Sequence, residues 1–206
     1  MTLRRLAALI GSPVEHSLSP IIHQAAFDAA GVDWTYVAFD VAAGGGARSL
    51  DAMRVLGIAG LSVTMPHKRE VADAVDRLEP AARALQSVNT VSWEGDRLVG
   101  SSTDGAGFVA SLAEAGIDVS DARIAVIGAG GAARSVIDAL GRAGASGIAV
   151  LNRTQTNAQE AAALAPDAEP GLSYGAPAYR LAGRPLAGFS AAKAHLSYLP
   201  FSPDVI

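Results

Sequence analysis

An α/β protein built on a mostly parallel sheet is the fold class that this sequence predicts, and three observations predict it. Short apolar, strand-like runs alternate with amphipathic helical segments from the N-terminus to about residue 165. A glycine-rich turn, Gly128-Ala129-Gly130-Gly131, sits directly between a buried apolar run and an amphipathic helix. The composition is 50% hydrophobic, rich in Gly and Ala and poor in aromatics, as in a tightly packed domain rather than a disordered or fibrous chain.

The elements follow in order. Leu6 to Ile10 reads as a first strand closed by Gly11-Ser12-Pro13. Pro20 to Ala30 reads as a helix, with Ser19 as N-cap, Pro20 at the first helical position and Gly31 beyond the end. Thr35 to Val41 is a second strand, Gly44-Gly45-Gly46 a loop and Leu50 to Leu56 a helix. Leu61 to Met65 is a third strand, and a helix runs from Lys68 to Val75. "SVNTVSW" and "RLVGSS" pair as strands about the turn Glu94-Gly95-Asp96. A helix from Gly105 to Ala115 precedes one βαβ unit: strand Ile124 to Ile127, the glycine turn, helix Ala132 to Ala143, and strand Ile148 to Leu151. A helix over Gln155 to Leu164 begins a next repeat. The character then changes, and Ala178 to Leu181, Pro185 to Phe189 and His195 to Leu199 read as short strands between turn residues.

Bulk properties exclude several function classes. The net charge of −4 and the lack of a long basic run give no electrostatic case for nucleic acid. Without cysteine there is no disulfide, thiolate metal site or Cys nucleophile, and the four histidines have no metal spacing. No stretch approaches the roughly 18 apolar residues of a membrane span, and "MTLRRLAALIGSP" lacks the core and cleavage site of a signal peptide. A soluble cytoplasmic protein without membrane partners is the expectation.

The chemistry-bearing residues are few. In "EHSLSP", Ser17 and Ser19 point to the same side of an extended segment and would suit a carboxylate, although Ser19 also explains itself as a cap. Lys68 stands just past Pro66 in the first turn of a helix, where its charge opposes the dipole. It is either merely exposed or placed for chemistry. Asp104 reads as a helix cap or a partner for that amine, Asn89 as a turn residue or ligand contact, and Thr64 as a strand residue or contact.

Gly128-Ala129-Gly130-Gly131-Ala132-Ala133 matches the dinucleotide-binding pattern in its proper context, strand before and helix after. Its glycines allow the tight turn and close backbone approach to a pyrophosphate, and the helix N-terminus offers free N–H groups. At the end of the next strand, where an acid would bond the ribose of NAD, this chain has Asn152-Arg153-Thr154. An arginine fork and a hydroxyl there match a 2′-phosphate, so NADP is the expected cofactor.

Taken together, "GSPVEHSLSP", "LSVTMPHK", "VNTV", "STDGAGF", "IGAGGAAR" and "NRT" resemble, in order and spacing, the shikimate dehydrogenases, over about residues 5 to 165. The resemblance implies an N-terminal substrate-binding α/β domain (residues 1–104) followed by a truncated Rossmann-like nucleotide-binding domain (residues 105–165). It implies reversible NADP-linked reduction of 3-dehydroshikimate to shikimate, in the route to chorismate and aromatic amino acids. By the same resemblance Ser17 and Ser19 hold the substrate carboxylate, while Thr64, Lys68, Asn89 and Asp104 contact ring hydroxyls. Lys68 exchanges the proton at the reacting oxygen and Asp104 orients it. Gly128, Ala129, Gly130, Gly131, Ala132, Asn152, Arg153 and Thr154 hold the cofactor.

Departures accompany the resemblance. Ser62 stands where many relatives carry Asn, Ser102 departs similarly, and Asn157 falls where relatives often place a second basic residue. Residues 166–206 resemble a fragment of an unrelated small bacterial domain, sometimes described as an iron chaperone, with a gene-model or assembly error as the expected cause. An incomplete nucleotide domain leaves strand faces and an edge exposed, so weakened stability and turnover are expected. Two other readings stand beside this one: a quinate/shikimate dehydrogenase using NAD, and a non-catalytic shikimate- or NADP-binding remnant.

Overall fold

A computed structural model describes residues 4–152 and 154–164, together with the backbone of residues 169–173, 176–181, 184–192 and 195–199. The chain divides into two compact units, Met1–Thr103 and Asp104–Ile206.

The first unit runs β1 (Arg5–Gly11), α1 (Ser19–Ala29), β2 (Trp34–Asp40), α2 (Gly46–Leu56), β3 (Gly60–Val63), α3 (Lys68–Ala74), β4 (Arg77–Leu78), α4 (Pro80–Leu85), β5 (Thr90–Glu94) and β6 (Arg97–Ser101). Its strands form one six-stranded sheet in the order β2-β1-β3-β5-β6-β4. β1 pairs parallel with β2 and β3, and β4 with β6, whereas β3–β5 and β5–β6 are antiparallel. The sheet is therefore mixed, with three parallel pairings and two antiparallel ones, and the β5–β6 hairpin is the strand pair expected about Glu94-Gly95-Asp96. The cause is local: Gly95 at φ +64° closes a tight hairpin between Glu94 and Arg97, and so short a link joins only antiparallel neighbours.

β1 is an apolar run because both of its faces are covered. Ala8 and Ile10 join Leu50, Met53, Leu61, Val63 and Val71 in one core. Ala7 and Leu9 face the other way, into a smaller cluster with Val14 and Tyr36 against which Phe27 of α1 packs. Helix α1 stops where Gly31, at φ +65°, takes the left-handed conformation expected of it. Its start differs from expectation. Leu18 occupies the N-cap position, Ser19 is the first helical residue, and the Ser19 N–H donates to Ser17 Oγ at 3.3 Å. The capping acceptor comes from two residues upstream, so the assignment of Ser19 as cap is corrected.

Helix α2 begins at Gly46, four residues before the expected Leu50, since a carboxylate from α3 serves its first turn: the Ala47 N–H donates to Glu70 Oε1 at 3.1 Å. β4 and α4, of two and six residues, are too short to leave a periodic signal and were not anticipated.

The second unit runs α5 (Asp104–Glu114), β7 (Arg123–Ile127), α6 (Gly131–Arg142), β8 (Gly147–Leu151), α7 (Gln155–Ala162), β9 (Glu169–Ser173), β10 (Ala176–Leu181), β11 (Arg184–Ala192) and β12 (His195–Leu199). β7 and β8 are parallel neighbours, with Ile124 opposite Ile148 and Val126 opposite Val150. α6 links them and buries Ile137 and Leu140 against Ile148, Val150 and Ala158. α5 lies so close to α6 that a Cβ on Gly105 would overlap the Ser135 carbonyl oxygen. β9 to β12 form an antiparallel sheet in the order β12-β11-β10-β9; three of these strands match the expected ones and β9 is additional. Among the described residues no helix is long and apolar enough to cross a membrane.

Candidate active site

In the six-stranded sheet the C-terminal ends of β1, β3 and β6 and the N-terminal end of β5 lie along one rim, as the strand directions require. Ligands of open α/β sheets collect at such a rim, where loops leave the strands. Backbone hydrogen bonds lace it together. Thr64 N donates to Ile10 O at 2.9 Å, and Ser12 N donates to Met65 O at 2.9 Å, joining the loop after β1 to the loop after β3. Val63 N donates to Asn89 O at 2.8 Å, and Asn89 N to Ser101 O at 3.0 Å, adding the start of β5 and the end of β6.

Gly11 makes the first of these junctions possible. A Cβ there would overlap the Thr64 side-chain methyl and stand 3.1 Å from Met65 O. Only a residue without a side chain lets the end of β1 approach Thr64 so closely. Two cis peptide bonds, Ser12–Pro13 and Met65–Pro66, lie in the same two loops.

The rim gathers five of the expected substrate residues. Ser17 and Ser19 are half-buried after β1, and Thr64 and Lys68 are half-buried after β3, with Lys68 opening α3. The Lys68 carbonyl accepts from Val88 N at 3.0 Å, which ties this turn to the segment leading into Asn89. The Asn89 side chain is oriented by a residue that motif reading passed over: its Nδ2 donates to Thr103 Oγ1 at 3.0 Å, and its Oδ1 accepts from Thr103 N at 3.1 Å and Thr90 Oγ1 at 3.0 Å. Thr103 lies inside "STDGAGF" but carries no signal of this role. Asp104 does not precede α5; it is its first residue, and so opens the second unit.

Behind the rim lies a second network that sequence reasoning missed. His67 is wholly buried, with its Nε2 2.7 Å from Val41 O and its Nδ1 3.5 Å from Glu70 Oε2. The Ala47 N–H above all holds the Glu70 carboxyl below its ordinary value; burial pushes the other way, and the Gly46 N–H and His67 add to the lowering. A histidine without metal spacing offers nothing in sequence to mark it as a buried junction.

The candidate cofactor residues lie in the second unit. Gly128 takes φ +110°, which turns the chain between β7 and α6, and Gly130 is the extended N-cap residue with no side-chain cap. The first helical bond runs from Arg134 N to Gly130 O, so the N–H groups of Gly131, Ala132 and Ala133 have no acceptor within the helix. The space above Gly130 and Gly131 is open, with no atom within 4 Å of where a Cβ would stand. An uncapped helix start under open space fits a bound pyrophosphate. After β8, Asn152 Nδ2 donates to Thr154 O at 3.0 Å and shapes the turn into α7. Arg153 lies outside the described residues.

The chain is similar to known proteins in sequence and in fold. A family model for the shikimate dehydrogenase substrate binding domain matches residues 9–91, and one for shikimate / quinate 5-dehydrogenase matches residues 111–170. The shikimate dehydrogenase (NADP(+)) of Geobacter metallireducens is 46% identical over 157 residues, covering 76% of this chain and 55% of the relative. The structure of shikimate 5-dehydrogenase from Listeria monocytogenes, in complex with shikimate and NAD, superposes with a TM-score of 0.75 at 34% identity over 78% of this chain and 57% of that one. The Thermus thermophilus enzyme, in complex with NADP(H) and shikimate, gives a TM-score of 0.73 at 35% identity, over 78% and 60%. The chain spans about half the length of the curated relatives it matches.

Proposed function

This chain belongs to the shikimate dehydrogenase family, and from that premise we propose that it binds shikimate on its first unit and NADP on its second and interconverts shikimate and 3-dehydroshikimate. The observation that supports the reading is the rim of the first sheet, where the hydrogen bonds of Thr64, Ser12 and Asn89 tie the segments after β1 and β3 to the start of β5, the segments that carry Ser17, Ser19, Thr64, Lys68 and Asn89.

Each residue has a part in this mechanism. Ser17 and Ser19 donate to the substrate carboxylate, and Thr64 and Asn89 bond the ring hydroxyls. Lys68 accepts the proton of the hydroxyl being oxidised, or returns it to the carbonyl oxygen in reduction, and exchanges it with solvent afterwards. Asp104 bonds the same oxygen and orients it. The N–H groups of Gly131 and Ala132, with the backbone of Gly128, Ala129 and Gly130, hold the pyrophosphate; Asn152, Arg153 and Thr154 take the ribose and its 2′-phosphate. The nicotinamide, when bound, supplies the hydride acceptor or donor for the reacting carbon.

Titration calorimetry with shikimate and the absorbance of reduced cofactor test this on the whole chain. Lys68→Met is expected to leave shikimate affinity within a few-fold and to lower turnover by about 10²–10⁴, the share of one general acid–base group. Ser17→Ala is expected to weaken shikimate binding about tenfold, for one hydrogen bond to a charged group. Undiminished turnover in the lysine variant would end the assignment of Lys68. Binding without turnover in the parent chain would favour the remnant, and faster rates with quinate and NAD would favour the quinate enzyme.

A further inference from the structure

The described residues include three buried polar side chains, His67, Ser135 and Asp138. Two have local explanations: Ser135 Oγ donates to Gly131 O at 3.3 Å, and Asp138 accepts from Arg142 Nε one turn on at 3.0 Å. His67 is different, because its short bond goes to Val41, in the segment leaving β2, and its sequence neighbour is Lys68. Val41 O is a carbonyl and can only accept, so the 2.7 Å contact requires Nε2 to carry the hydrogen and donate. On the other side of the ring Glu70 Oε2 stands at 3.5 Å, the long limit of a hydrogen bond, while the other oxygen of Glu70 serves Ala47. The bond to Val41 is thus the stronger tether.

There is no slack around it. A Cβ on Gly46 would lie 3.1 Å from His67 Cβ and 2.8 Å from Glu70 Oε2, so the start of α2 is packed directly on this side chain. Along the chain, His67 N donates to Thr64 O at 3.0 Å and His67 O accepts from Val71 N at 2.9 Å. The first turn of α3 is therefore pinned from the exit of β2 and from the start of α2, and through Lys68 O from Val88. The Lys68 backbone cannot rotate without dragging a buried ring off its carbonyl.

We propose that His67 is a positioning residue for Lys68: its buried imidazole, bonded to the Val41 carbonyl and set against Glu70, fixes the first turn of α3 and with it the direction in which the lysine amine projects. The proposal rests on the reading of Lys68 as the proton-exchanging group, and its test has a readout independent of turnover.

The sequence holds two lysines, Lys68 and Lys193. In a Lys193→Arg background, reductive methylation with ¹³C leaves one labelled lysine, whose NMR signal reports the surroundings of the Lys68 amine. His67→Gln keeps a donor at about the reach of Nε2, His67→Asn places its amide near Nδ1 and loses the Val41 bond, and His67→Phe fills the volume with no donor. Expected for His67→Phe is a lysine signal moved toward that of an unstructured chain. Its kcat falls about tenfold to a hundredfold, the scale of a misplaced catalytic group, while KM for shikimate stays within about threefold. His67→Gln restores both. A folded His67→Phe chain with the parental lysine signal, or a glutamine variant no better than phenylalanine, would overturn the proposal. Should His67→Phe fail to fold, glutamine and asparagine decide: equal displacement of the lysine signal counts against it, and displacement in asparagine alone supports it. Should the parent chain neither bind nor turn over shikimate, the functional reading fails while the lysine signal still judges His67.

Discussion

Replacing Gly11 with alanine tests whether the substrate rim is held together by close approach of two loops. The added methyl would overlap the Thr64 methyl and press on Val14 and Met65 O at 3.0 and 3.1 Å. Gly11 has no left-handed backbone, so the whole effect is contact and none is backbone strain. Thr64 is branched at Cβ and has few rotamers to escape into. The Ser12–Met65 bond holds the opposing backbone in place. Overpacking of this kind costs about 1–3 kcal/mol. Thr64→Ser removes the obstructing methyl and keeps the hydroxyl, at a cost of about 1 kcal/mol for one buried methyl. If the two methyls collide, the double variant falls short of the additive sum by about 1 kcal/mol or more. Urea unfolding followed by tryptophan fluorescence reads this unit selectively, because Trp34 and Trp93 are the only tryptophans and both lie in it. Shikimate affinity is expected to fall about two- to tenfold in Gly11→Ala and to recover in the double variant. A single variant within about 0.5 kcal/mol of the parent, or strictly additive variants, would refute the close-approach argument.

Two further outcomes are expected. Glu70 has a carboxyl held below its ordinary value of 4.5, so its contribution to stability is complete above that value and is lost as pH falls through the lower folded value. The first unit should therefore weaken on acidification below about pH 4.5, and Glu70→Gln should flatten that part of the pH–stability profile; an unchanged profile would contradict the link to α2. In the second unit, Gly105→Ala places a methyl on the Ser135 carbonyl of α6 and should destabilise α5 against α6 by about 2 kcal/mol or more. Faster amide hydrogen exchange in α6, without change in the tryptophan transition, is the expected signature.

Much of this protein was legible in one dimension, for identifiable reasons. The run Leu6 to Ile10, the glycine turn at 128–131 and the amphipathic helix after it each announce themselves within about a dozen residues, since apolar period and turn chemistry are local properties. The motifs around Ser17, Thr64, Lys68 and Asn89 identify their elements because each stands at the end of one. What sequence misplaced is what particular side-chain partners control, one of them local and one distant. Ser19 looks like a cap until Ser17 is seen to supply the acceptor, and α2 starts four residues early because a carboxylate from α3 reaches it.

The sequence alone determined the order of the motifs and the strand–helix alternation, because those depend on side-chain type and on spacing along the chain. Only the tertiary structure decided that β5 pairs antiparallel with β3, that Thr103 orients Asn89, and that His67 is a buried junction. Each of these turns on partners from other elements, whose encounter depends on how the layers close over β1 and on which atoms then have no other place to bond.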